Sequence, residues 1–170
     1  MTKLNSGNLP FGATSSYSFV ATGNVDPAGT SGNGSSAKMM TFDALHRFIK
    51  TGDILSVRRE LDAGANPNLV NQFGWSLLMS AALEGNTSIA GLLLSRGVEV
   101  NTKNNFGETA LSLAAHGGHL PFIRILLANG ASPACRPHGA SLENWLRVGS
   151  GLTESKIASI LALIKRQSPG

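Results

Sequence analysis

Apolar and polar positions over residues 41–136 follow a pattern that returns every 33 residues. Residues 73–97 read FGWSLLMSAALEGNTSIAGLLLSRG and residues 106–130 read FGETALSLAAHGGHLPFIRILLANG. Gly74 and Gly107, Leu78 and Leu111, Ala81 and Ala114, Ala82 and Ala115, Gly85 and Gly118, and Leu93 and Leu126 stand in register. Each copy predicts two helices. Ser76 and Thr109 are placed to accept from the free amides at the start of the first, a short helix built on a Leu and an Ala pair. Gly85 and Gly118 break it. A second helix starts near Asn86 or His119, with Ile89, Leu92 and Leu93, then Phe122, Ile125 and Leu126, at the three-and-four spacing of a buried stripe. Pro121 fits in that helix's first turn, where its missing N–H leaves no bond unmade. Gly97 and Gly130 are suited to end it in a left-handed conformation.

A more diverged copy comes first, with Leu45, His46, Gly52 and Gly64 each 33 residues ahead of Leu78, Met79, Gly85 and Gly97. Arg58, Arg59, Glu60 and Asp62 crowd its second helix, as suits a polar terminal unit. Beyond His138 the pattern loosens. Ser141 and Thr153 are candidate caps for helices carrying Leu142, Trp145 and Leu146, then Ile157, Ile160, Leu161 and Ile164, but Arg147 and Val148 occupy the Ala-pair places. This segment reads as a degenerate last unit that caps the stack. The expected divisions are 39–71, 72–104, 105–137 and 138–170. Residues 1–38, rich in Ser, Gly and Asn with only Lys3, Asp26 and Lys38 charged, show no apolar period and are expected to be a disordered leader.

A recurrence of this length signals stacked units that bury one another's apolar sides. GWSLLMSAALEGN and GETALSLAAHGGH, with GANPN, GVEVN and GASPA between units, resemble the ankyrin repeat over residues 41–136. The resemblance implies an all-α solenoid of about four helix-turn-helix units with hairpin-like fingers formed by NLVNQFG and NTKNNFG. Departures are Leu77 and Ala110 for the motif's Pro, Met79 and Ser112 for its His, and Asn71 and Asn104 for its usual Asp. These are expected to weaken local rigidity or a capping bond while preserving the fold.

Composition narrows the function. Cys135 is the single cysteine, so no internal disulfide can form, and it reads as an ordinary small residue near a turn. The net charge is +4, with the excess after Asn104, yet no basic run or aromatic interleaving accompanies it. That disfavours nucleic acid as a partner. No apolar run is long enough for a membrane span. No phosphate loop, metal-ligand spacing or nucleophile–base set is present, so the sequence predicts no enzyme, no cofactor and no metal. His46 and His119 match positions where the family uses His for local hydrogen bonds; His116 and His138 are expected at exposed turns.

The resemblance implies a monomeric adaptor or inhibitor that binds a protein partner through a concave face, in the cytoplasm or nucleus. The alternative is a targeted or secreted factor, sent by its leader, that acts on a host or organellar protein. Contact positions carried over from the family are Gln72, Phe73, Trp75, Leu83 and Glu84, then Asn105, Phe106, Glu108 and His116. Trp75 is the sharpest candidate, as a solvent-facing indole flanked by Met79 and Phe73, and Met79 is expected to share the contact. Phe73 and Phe106 are expected to brace neighbouring fingers.

Overall fold

The computed structural model describes residues 41–167; the leader expectations, made for residues 1–38, lie outside them. Eight α-helices follow in four pairs: α1 (Phe42–Thr51) with α2 (Ile54–Asp62), α3 (Leu77–Glu84) with α4 (Thr87–Ser95), α5 (Ala110–His116) with α6 (Leu120–Ala128), and α7 (Leu142–Gly149) with α8 (Glu154–Gln167). Within each pair the helices pack on each other. Between pairs, α1, α3, α5 and α7 form one layer and α2, α4, α6 and α8 the other, each touching its neighbour in the series. This is the stack that the period implied.

The local chemistry explains where helices start. Ser76 Oγ accepts from the Met79 amide at 3.2 Å, and Thr109 Oγ1 accepts from the Ser112 amide at 3.3 Å. Both caps are reciprocated: the Ser76 amide meets the Met79 sulfur at 3.5 Å and the Thr109 amide donates to Ser112 Oγ at 2.9 Å. Met79 and Ser112 therefore perform the capping that their departure from the family's His was expected to weaken. Asp53 and Asn86 cap α2 and α4. Ser141 caps α7, and Thr153 Oγ1 receives the Lys156 amide at 3.4 Å. Pro121 lies in the first turn of α6, and Gly97 and Gly130 are left-handed just past α4 and α6.

Packing follows the composition of each layer. Ala81, Ala82, Ala114 and Ala115 are completely buried, so α3 and α5 meet through methyl groups. Ile89, Leu93, Phe122, Ile123 and Leu126 fill the space between the layers and are also completely buried. In the last described pair, Arg147 and Val148 stand where the earlier units have alanines and point to solvent, so this pair lacks the small-residue face of α3 and α5.

Gly107 shows how closely consecutive units approach. Its φ is +74°, and a Cβ there would lie 2.6 Å from the Arg136 carbonyl oxygen, a backbone atom of the next finger. Gly107→Ala is expected to cost about 2–3 kcal/mol, combining left-handed strain with a clash that no rotamer relieves. Gly130→Ala has the same backbone sign but open space around it, and should cost about 1 kcal/mol. Urea denaturation of both variants checks the order; equal losses would mean that the finger-to-finger contact carries no cost.

Candidate partner-contact face

The fingers are built by two asparagines. Asn71 Oδ1 accepts from the amides of Phe73 (2.9 Å) and Trp75 (3.0 Å), while its own amide donates to the Trp75 carbonyl at 3.0 Å. Asn104 repeats this with Phe106 (3.0 Å), Glu108 (2.9 Å) and the Glu108 carbonyl (3.0 Å). A side-chain carbonyl thus does what the family's aspartate was expected to do. Among the described residues the hairpin character reduces to one antiparallel bridge, Val70 with Ser76; the fingers are turns closed by side chains.

Consecutive fingers are joined through backbone. The Asn105 amide donates to the Phe73 carbonyl at 3.0 Å, and the His138 amide to the Phe106 carbonyl at 2.7 Å. The phenylalanine main chains are therefore locked while their rings stand out, 44% exposed for Phe73 and 48% for Phe106. The bracing expected of these rings is carried by their carbonyls; the Phe106 ring stacks on His138, centroids 5.5 Å apart. Gln72, Asn105 and Glu84 are exposed, Trp75 is half-buried against the core, and Leu83 is half-buried.

Three expected contact residues require correction. Met79 is fully buried, because its side chain turns back to meet the Ser76 amide. Glu108 is 3% exposed. Its Oε2 accepts from Asn104 Nδ2 at 2.6 Å and its Oε1 faces His138 Nε2 at 3.2 Å, so its charge is spent inside the stack. His116 ends α5 half-buried, its ring 4.7 Å from that of Trp145, in place of the exposed turn that the sequence suggested. Burial holds its pKa below the usual 6.5, with the Glu108 charge pulling weakly the other way. Burial, then Lys50, lowers His46 likewise.

The two histidines expected to bond locally bridge units instead: His46 Nδ1 lies 2.8 Å from Ser80 Oγ, and His119 Nε2 lies 3.2 Å from the Leu83 carbonyl. Asn68 and Asn101 were missed as fastening residues. Asn68 Oδ1 receives the Glu99 amide and Asn101 Oδ1 the Ser132 amide, both at 2.7 Å. Their recurrence at the inter-unit turns, 33 residues apart, was the available signal.

Chemistry elsewhere is sparse. A recess of about 200 Å³ lies among Pro133, Ala134, Cys135, Arg136, Ser141 and Leu142, below the usual size of a small-molecule site. Burial pushes the Cys135 thiol up, away from the reactive thiolate. Among the described residues no three His, Cys, Asp or Glu side chains converge to hold a metal, and no helix is long and apolar enough to cross a membrane.

Comparison with known proteins agrees with this architecture. A family model described as ankyrin repeats, three copies, matches residues 44–136, more than half of the 170 residues. No curated protein matches significantly. With four helix pairs in two layers and the period legible in both sequence and packing, the chain belongs to the ankyrin-repeat family.

Proposed function

We propose that this chain is a non-enzymatic adaptor or inhibitor that binds a protein partner through the flank carrying its fingertips and inner-helix ends. Ankyrin repeats are generally protein–protein interaction modules, and the residues of this flank supply the finer reading. One observation carries it: Phe73 and Phe106 hold their rings half in solvent on backbones fixed by inter-finger hydrogen bonds. A pre-positioned aromatic loses little freedom on docking and buries much area, which makes a good anchor. Gln72, Asn105 and Glu84 supply a polar rim, with Trp75 and Leu83 the apolar floor beside them.

The reading takes the working chain as a monomer in the cytoplasm or nucleus. Its alternative, delivery by residues 1–38 to an organelle or out of the cell, is favoured only by the leader's Ser-rich, acid-poor composition. Fusing those residues to a fluorescent reporter separates the two, since a diffuse signal removes the alternative.

The contact surface is tested by affinity capture and mass spectrometry with the parent chain and with Phe73→Ala/Phe106→Ala. A protein captured by the parent should bind the double variant at least about tenfold more weakly, as expected for truncated anchors. Stability should fall by no more than about 2 kcal/mol for the two rings together, because about half of each is already hydrated. A captured partner that binds both proteins equally, with both folded, places the contact elsewhere.

A further inference from the structure

The polar groups that hold neighbouring units together change character at the last seam. Asn68 and Asn101 each fasten the following unit through a side-chain carbonyl, and the next place in that register is Ala134, which has none. Asn71 and Asn104 brace their fingers, and the next place in that register is Pro137. Non-titrating amides thus give out where the last helix pair begins.

Imidazoles stand at that seam. His138 reaches back to the third unit through its amide on Phe106 and its ring on Glu108, and its ring also lies 6.4 Å from that of Trp145. It is the only described non-glycine residue with a positive φ, +50°, so its backbone is held in a costly conformation by those contacts. His116 occupies the register filled by Leu83 one unit earlier, and packs from α5 against Trp145 of α7. Its Nδ1 is buried with no protein hydrogen-bond partner. A neutral imidazole can present an unbonded lone pair there at modest cost. The protonated ring must place an N–H and a positive charge in the same spot.

We infer that the seam between α5 and α7 is an acid-labile joint: protonation of His116 releases the α7–α8 pair while the preceding pairs remain stacked. The ion pairs of Arg147 with Glu143 and Glu154 lie within the α7–α8 pair, so they travel with it and do not resist opening. Elsewhere around α5, Glu84 on α3 and Arg124 on α6 are exposed, Lys156 on α8 lays its ammonium end over Gly118 just past α5, and His119 is engaged with the Leu83 carbonyl. Glu108 is the charge that acts on His116, and it favours the protonated form, though less than burial opposes it. A protonated His138 beside Glu108 would be a salt bridge across the seam and so would oppose release.

The sign follows from linkage. The docked pKa of His116 lies below its free value of 6.5, so docking is at full strength above pH 6.5 and weakens as pH falls from there through the docked value. At the first seam, His46 faces Ser80 Oγ, a hydroxyl that can accept from a protonated ring, so the same pH change has less effect there.

Hydrogen exchange of the full chain at about pH 7.5 and about pH 5.5, corrected for intrinsic exchange chemistry, reads the joint segment by segment. Protection of α7 and α8 should fall several-fold relative to α3 and α4 at the lower pH. His116→Leu, using the residue that the preceding unit has at this place, should abolish the difference, and His116→Gln tests the same point if leucine perturbs the seam. His138→Gln should retain it. An unchanged α7–α8 to α3–α4 ratio, or an acid response surviving in both His116 variants, would overturn the inference.

Discussion

Replacing Asn104 by aspartate should destabilise the stack by about 2–4 kcal/mol, although aspartate is the commoner residue at this place in the family. Asn104 does two jobs. Its carbonyl braces the finger amides, and its NH2 donates to the buried Glu108 carboxylate at 2.6 Å. Aspartate keeps the first and reverses the second, setting two negative groups within hydrogen-bond distance at a position about 5% exposed. Asn71→Asp makes the same chemical change where the partner position is Trp75, with no carboxylate to oppose, and should be neutral within about 0.5 kcal/mol.

A double-mutant cycle isolates the coupling. Asn104→Asp with Glu108→Gln restores one donor to one acceptor and should recover more than about half of the loss. Equilibrium urea unfolding of the four proteins measures it. If Asn104→Asp proves as harmless as Asn71→Asp, the Asn104–Glu108 bond does not hold the finger.

Phe122→Ala should cost about 3–5 kcal/mol. Phe122 is completely buried on α6, between α5 and the neighbouring outer helices α4 and α8. Units in such a stack contact only their neighbours, so the space left by the ring cannot be filled from elsewhere in the chain. A loss of that size is a large share of the 5–15 kcal/mol (roughly) that holds a domain together. Phe106→Ala removes the same ring from a half-exposed fingertip and should cost no more than about 1 kcal/mol. Chemical denaturation, followed by far-UV circular dichroism, compares the two; similar midpoints would contradict the assignment of core and surface.

The candidate surface was only partly legible. Trp75 and Glu108 share one register and looked like paired contacts, yet the first is half-buried beside the core and the second is buried. Glu108 has two partners, Asn104 on its own finger and His138 thirty residues away in the next unit. A carboxylate in a polar turn reads as exposed until its distant donors are known. Met79 failed for a local reason: a thioether can take the reciprocal place in a capping box, which drew it inward. The half-exposed phenylalanines are expected as braces: both bond the next finger through their carbonyls, and the Phe106 ring also stacks on His138, while part of each ring stays in solvent.

By itself the sequence determined the repeat length, the paired helices and their caps, and the stacked architecture. Those features depend on residues close along the chain and on one contact pattern used again at each unit, so periodicity exposes them. Only the tertiary structure decided which polar side chains are spent between units and which face solvent. Asn68, Asn101, His46, His119 and Glu108 all bond across a seam, between residues 29 to 36 positions apart. Burial of a polar group depends on whether a neighbour supplies the matching donor or acceptor, and that is fixed only when the units are brought together.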